Sequence, residues 1–153
     1  MFGFHRKKDK KNHCYSQIRL LYFNQPVDEM VSIEINHEQK TCELLWGTDL
    51  YVMPINRLSI FYYHDIFASL LAQGPQSFAD DWPVMQNLLQ REAEYRGQKN
   101  SLKNRDGLKI ICQMKEGGRL ICLLTSEVFF CMPELYKDLE SCTDKRGYTK
   151  IEL

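Results

Sequence analysis

The sequence predicts an α+β fold: a mostly antiparallel sheet, built from an N-terminal meander of three to four strands and a C-terminal hairpin, with about three helices packed on one face. Three observations carry this. Apolar and polar residues alternate at period two in several short segments, as half-buried strands require. Strand-like and helix-like segments each cluster along the chain, in the order β-β-β(-β)-α-α-β-β(-β)-α, instead of alternating as β-α-β units do. Gly, Pro and Asn mark turns between the segments.

Residues 1–13 are polar, lysine-rich and without period, and read as a flexible basic arm ahead of one domain over 14–153. From residue 15 the pattern alternates, with Ile18, Leu20 and Tyr22 opposite Gln17 and Arg19. Asn24-Gln25-Pro26 turns the chain. Val31, Ile33 and Ile35 then alternate with Ser32 and Glu34, and Cys42, Leu44 and Trp46 flank Glu43, completing a meander. A short fourth strand is expected over 50–53. Residues 57–73 are ambiguous: Tyr63, Ile66, Phe67, Leu70 and Leu71 fit a helix face, whereas 58–62 also fit an extended segment, and a helix closed by Gly74 and Pro75 is the favoured reading. Asp81 is placed as the N-cap of a second helix, with Pro83 in its first turn and Val84, Leu88 and Tyr95 as its stripe.

Gly117-Gly118 between two apolar runs reads as a two-residue hairpin turn. That register sets Cys112 opposite Leu123 and Cys122 opposite Gln113, so the two cysteines point to opposite sides of the sheet. A short strand is expected over 128–131, then a helix from Pro133 carrying Leu135, Tyr136, Leu139 and Cys142.

Twenty basic and twenty acidic side chains leave no net charge. A duplex-binding protein carries a basic excess, so nucleic acid is not the expected partner. Six cysteines sit mainly in apolar runs, no signal peptide fits residues 1–4, and the chain is long enough to bury a core without staples. Reduced, buried thiols and a cytoplasmic location are the expectation.

Chemical motifs are sparse. Gly117-Gly118 lacks phosphate-loop spacing, and no pair of cysteines has C-x-x-C spacing. His5, His13 and Cys14 would need further ligands from distant residues to hold a metal. His64 and Asp65 are neighbours that do not face each other on a helix. Of the acidic pair Asp80-Asp81, Asp81 reads as a helix cap, and Glu92 and Glu94 read as a solvated face. No catalytic residue, metal or cofactor is expected.

The surplus is aromatic. Phe61-Tyr62-Tyr63, with Trp46, Tyr51, Phe67 and Trp82, cannot all point inward. Either they form a two-sided core, or some of them, with Phe61, Tyr62 and Trp82 the candidates, face a partner. The first functional expectation is therefore a non-enzymatic protein-binding module: an accessory, adaptor, chaperone-like or toxin-neutralising protein. A second is a peripheral membrane protein held to an anionic surface by Phe2, Phe4, Arg6, Lys7, Lys8, Lys10 and Lys11. A third is a cysteine-dependent or hydrolytic enzyme with His64 or His37 as base.

Overall fold

Seven strands form one antiparallel sheet: β1 (Asn12–Phe23), β2 (Pro26–Asn36), β3 (Thr41–Trp46), β4 (Asp49–Pro54), β5 (Leu58–Tyr63), β6 (Gly107–Gln113) and β7 (Arg119–Thr125). Among the described residues three α-helices accompany them: α1 (Ile66–Gln73), α2 (Trp82–Gln98) and α3 (Cys131–Ser141). This computed structural model describes residues 12–98 and 105–143. The arm residues Phe2, Phe4, Arg6, Lys7, Lys8, Lys10 and Lys11 lie outside the described residues. Among the described residues no helix is long and apolar enough to cross a membrane.

The strand order is β4-β3-β2-β1-β7-β6-β5. Two meanders thus meet along β1 and β7, where Arg19–Phe23 of β1 pairs with Cys122–Thr125 of β7. The outermost strands, β4 and β5, are joined by a single 3-10 turn, Ile55–Arg57. A link of three residues between the two edges of a seven-stranded sheet requires the sheet to curl on itself. Ile55 is buried at that join, and its amide donates to the Lys40 carbonyl at 3.0 Å.

The helices divide between the two faces instead of sharing one. The first core gathers Ile18, Ile33, Leu44, Leu108, Ile110 and Leu124 against Met132, Leu135 and Leu139 of α3. The second gathers Leu21, Tyr22 and Leu123 against Ile66, Phe67 and Leu70 of α1 and Met85 and Leu89 of α2. The reason lies in the central strands. Leu20-Leu21-Tyr22 and Cys122-Leu123-Leu124 are unbroken apolar runs, the mark of strands covered on both faces. A register shift between Leu20 and Tyr22 adds to this, so that Leu20 enters one core while Leu21 and Tyr22 enter the other.

Four further expectations change. Residues 58–63 are strand β5, not helix, because Leu-Ser-Ile-Phe-Tyr-Tyr fits a pleated surface and β6 offers it a ladder from Gly107 to Cys112. The helix begins only after Asp65, whose carboxylate accepts from the Ala68 amide at 3.1 Å as an N-cap. Residues 128–130 are a loop, not a strand, and α3 starts at Cys131, two residues before Pro133. Among the described side chains of α2, Met85, Leu88 and Leu89 are buried, while Val84 faces out.

The hairpin register also differs. The β6–β7 connection spans five residues, closed by a hydrogen bond from the Met114 amide to the Gly118 carbonyl at 3.1 Å. Both glycines take positive φ, +95° and +82°, on the far side of that longer turn. Cys112 therefore faces Leu120, and Cys122 faces Ile110. Both thiols enter the first core on the same side of the sheet. All six cysteines are free; five are buried and Cys14 is exposed.

Candidate functional site

Because β7 joins β1 only from Arg19 onward, the first half of β1 is paired on one side alone. Residues Asn12 to Tyr15 face Asn36 to Ile33 of β2. Among the described residues no strand pairs with their opposite edge. Backbone N–H and C=O groups on such an edge are a ready template for another extended segment.

A cleft of about 290 Å³ lies against this edge, lined by Cys14, Tyr15, Ser16 and Gln17 on the strand and by Val128, Phe129, Cys131 and Glu134 opposite. Strand β1 is irregular here, with a register break between Tyr15 and Ile18, and Gln17 at φ +58°. Ser126 fastens the two walls: its hydroxyl donates to the Gln17 carbonyl at 2.9 Å and accepts from the Val128 amide at 3.0 Å. Phe129 on the facing wall is 67% exposed, and Phe130 next to it in the chain is 59% exposed, with their ring centroids 4.2 Å apart. Phe130 holds φ +70° just ahead of α3, a conformation that costs a bulky L-residue about 1–2 kcal/mol. Two non-glycine residues in the left-handed region thus flank one cleft, and strain of this kind gathers at binding sites.

Behind the cleft, polar groups converge on α3. The Asp138 carboxylate is buried and accepts from the Tyr15 hydroxyl at 2.7 Å. His13 Nδ1 lies 2.8 Å from Asp138 Oδ2, and His37 Nε2 lies 2.5 Å from Oδ1. On the other side of the His37 ring, Nδ1 is 3.3 Å from the Cys142 sulfur. Burial together with the hydrogen bond to Asp138 holds the Tyr15 phenol well above its ordinary range.

Cys142, His37 and Asp138 stand in the order of a nucleophile, base and orienting acid. The thiol is wrong for that work. Cys142 is buried, and burial pushes its pKa up, with the Asp138 charge adding to the shift. An attacking cysteine needs the opposite, an electropositive and accessible setting. His64 is no better placed. Its ring packs edge-on to Tyr62 at 5.3 Å, while Asp65 caps α1 and meets Arg105 at 3.3 Å.

The aromatic candidates are scattered. Phe61 sits on the edge strand β5, 45% exposed, with the Lys109 ammonium 5.5 Å from its ring centre. Tyr62 points to the first core, packs against Tyr136 at 5.3 Å and donates to Asp106. Trp82 packs on the second core, stacked on Phe78 at 5.9 Å. Tyr62 and Trp82 therefore serve opposite faces of the sheet, and the three share no common surface. Of the acidic candidates, Asp81 accepts from the Tyr22 hydroxyl at 2.8 Å, and Glu92 is not free in solvent but pairs with Arg19 at 3.0 Å.

The residues that sequence reasoning passed over are Phe129, Phe130 and Asp138. Two adjacent phenylalanines ahead of a helix with no polar cap were the available signal for the first two. The chain matches no family model, no curated protein and no solved structure.

Proposed function

We propose that this chain is a non-enzymatic protein-binding module that takes an extended segment of its partner along the first half of β1. The observation that supports this most is the β1 edge that no strand covers among the described residues, lying across the cleft from Phe129. Strand addition supplies main-chain hydrogen bonds, and flanking pockets choose the side chains. An exposed aromatic pair on a fixed loop supplies the apolar contact such a partner would cover. The buried, unactivated thiols speak for binding over catalysis, and a cysteine set suited to packing in reduced form speaks for a cytoplasmic setting.

A phenylalanine ring carries roughly 200 Å². With these exposures the pair offers about 250 Å². Covering half of it is worth about 3 kcal/mol, or on the order of a hundredfold in Kd. The test is selection of displayed random peptides against the full chain, followed by amide exchange. Selected peptides are expected to slow exchange on the cleft side of Asn12–Gln17 and to lose about a hundredfold in affinity with Phe129→Ala/Phe130→Ala. Peptides that bind the double variant undiminished, or that protect β5 around Phe61 instead, would overturn this reading.

The same two rings also favour a second reading, contact with an anionic membrane assisted by the basic arm. Sedimentation with phosphatidylserine vesicles that weakens with salt and is lost in the same double variant would select it.

A further inference from the structure

We propose that His13, His37 and Asp138 form a site for one divalent transition-metal ion, with zinc the best fit. The inference rests on side chains behind the cleft and on no part of the peptide-binding reading. The three come from the start of β1, the turn after β2 and the middle of α3. They place one ligand atom each within 4.8 Å of one another. Two imidazoles and a carboxylate suit zinc, cobalt, nickel or copper, whereas calcium and magnesium prefer all-oxygen shells.

Two details point past a simple cluster. Asp138 is a carboxylate with only 6% of its side chain exposed, and the groups closest to it are two imidazoles and a phenol. A buried carboxylate is best satisfied by a full countercharge, which a divalent cation supplies. His37 Nε2 is itself buried and, although 2.5 Å from Asp138 Oδ1, is not aligned to hydrogen-bond with it; among the described residues it has no other partner. A cation held jointly by Nε2, the carboxylate and His13 satisfies both groups at once.

The distances allow it. Zinc ligands at about 2.0–2.2 Å in a tetrahedron stand roughly 3.3 Å from one another. The separations of 2.8 and 2.5 Å from Asp138 need to widen by well under 1 Å, and the two imidazole nitrogens, within 4.8 Å of each other, need to close by about 1.5 Å at most. His13, with 46% of its side chain exposed, has room to do so and leaves a solvent-facing fourth position for water. The outer partners are already in place. Tyr15 donates to the carboxylate, and Cys142 meets His37 Nδ1, so that Nδ1–H donating to sulfur leaves Nε2 free to bind metal. Cys142 lies on the far side of the ring from the site and acts on the histidine, not on the metal. An ion here ties β1 and the β2–β3 turn to α3, closing the first core at one end.

The experiment is titration of the full chain with zinc by calorimetry, and with cobalt by visible absorption. The expected result is one equivalent bound, a Tm raised by several degrees, no response to magnesium, and a tetrahedral cobalt spectrum without a thiolate charge-transfer band. His13→Asn, at a half-exposed position that leaves folding intact, should weaken binding at least a hundredfold. Tyr15→Phe should weaken it about tenfold, the usual scale for a second-layer partner. Asp138→Asn should abolish it; should that variant unfold, His13→Asn still decides. Failure to bind zinc, affinity unchanged in a folded His13→Asn variant, or a thiolate band that places cysteines on the metal would each overturn the proposal.

Discussion

Gly107→Ala should loosen the seam between α1 and the sheet. Gly107 opens β6, opposite Tyr63 on one side and Thr125 on the other. A Cβ there would stand 2.6 Å from Ile66 Cδ1, 2.7 Å from Ile66 Cβ and 2.8 Å from Ile66 Cγ2. Rotating the isoleucine does not help, because its own Cβ is one of the three contacts. Ile66 is fully buried, and its amide is fixed to the Arg105 carbonyl at 3.0 Å. The helix start or the strand must shift. Overpacking of this kind costs about 1–3 kcal/mol. Replacing glycine in a strand returns about 0.5–1 kcal/mol of backbone entropy. The net loss is about 1–2 kcal/mol, which for a chain of this size lowers Tm by roughly 3–6 °C. Scanning calorimetry on the two proteins measures it. Adding Ile66→Val removes only Cδ1, so the double variant should not recover the loss. An unchanged or higher Tm for Gly107→Ala would refute the reasoning, as would full rescue by Ile66→Val.

Two further outcomes follow from the polar groups. In the folded protein only Cys14 should react quickly with a thiol reagent, and all six should react after denaturation, because burial raises Cys112, Cys131 and Cys142 and pushes Cys122 up to about 12; fast labelling of Cys142 in the native state would restore the enzyme reading. Burial and the hydrogen bond to Asp81 hold the Tyr22 phenol at about 12, whereas an unfolded tyrosine ionises near ~10. Its stabilising contribution is complete below about pH 10 and is lost as pH rises toward about 12, so Tyr22→Phe should flatten the alkaline fall in stability over that window, and an unaltered slope would count against the assignment.

The N-terminal meander was legible because β2 and β3 alternate cleanly, Val31-Ile33-Ile35 and Cys42-Leu44 inward. Residues 58–63 were not, since Leu58, Tyr62 and Ile66 satisfy helical spacing as well as Leu58, Ile60 and Tyr62 satisfy strand spacing. What decided between them was a partner strand more than forty residues away, invisible to any local window. The hairpin register failed for a related reason: Gly117 and Gly118 do mark positive φ, yet they sit at one end of the turn and not at its centre. Division of the helices between two faces was written in Leu20-Leu21-Tyr22 and Cys122-Leu123-Leu124, runs that one-sided alternation does not explain. At the candidate site, Phe129 and Phe130 resembled strand residues because apolar runs look alike until a loop exposes them. The convergence of His13, His37 and Asp138 depends on β1, β2 and α3 meeting in space, which no spacing rule reports.

The pairing of β1 with β7 also sets a timetable. Arg19 meets Thr125, a partner about 100 residues later in the chain. At about 5–20 residues per second, a ribosome needs roughly 5–20 s to deliver that partner. Until then the N-terminal meander stands complete but unsealed. The whole of β1, including the apolar Leu20-Leu21-Tyr22 run, presents an unclaimed flank to its surroundings. A nascent chain of this protein therefore passes through a window in which its central strand, not its finished edge, is the surface most open to capture by a chaperone or by another copy of itself.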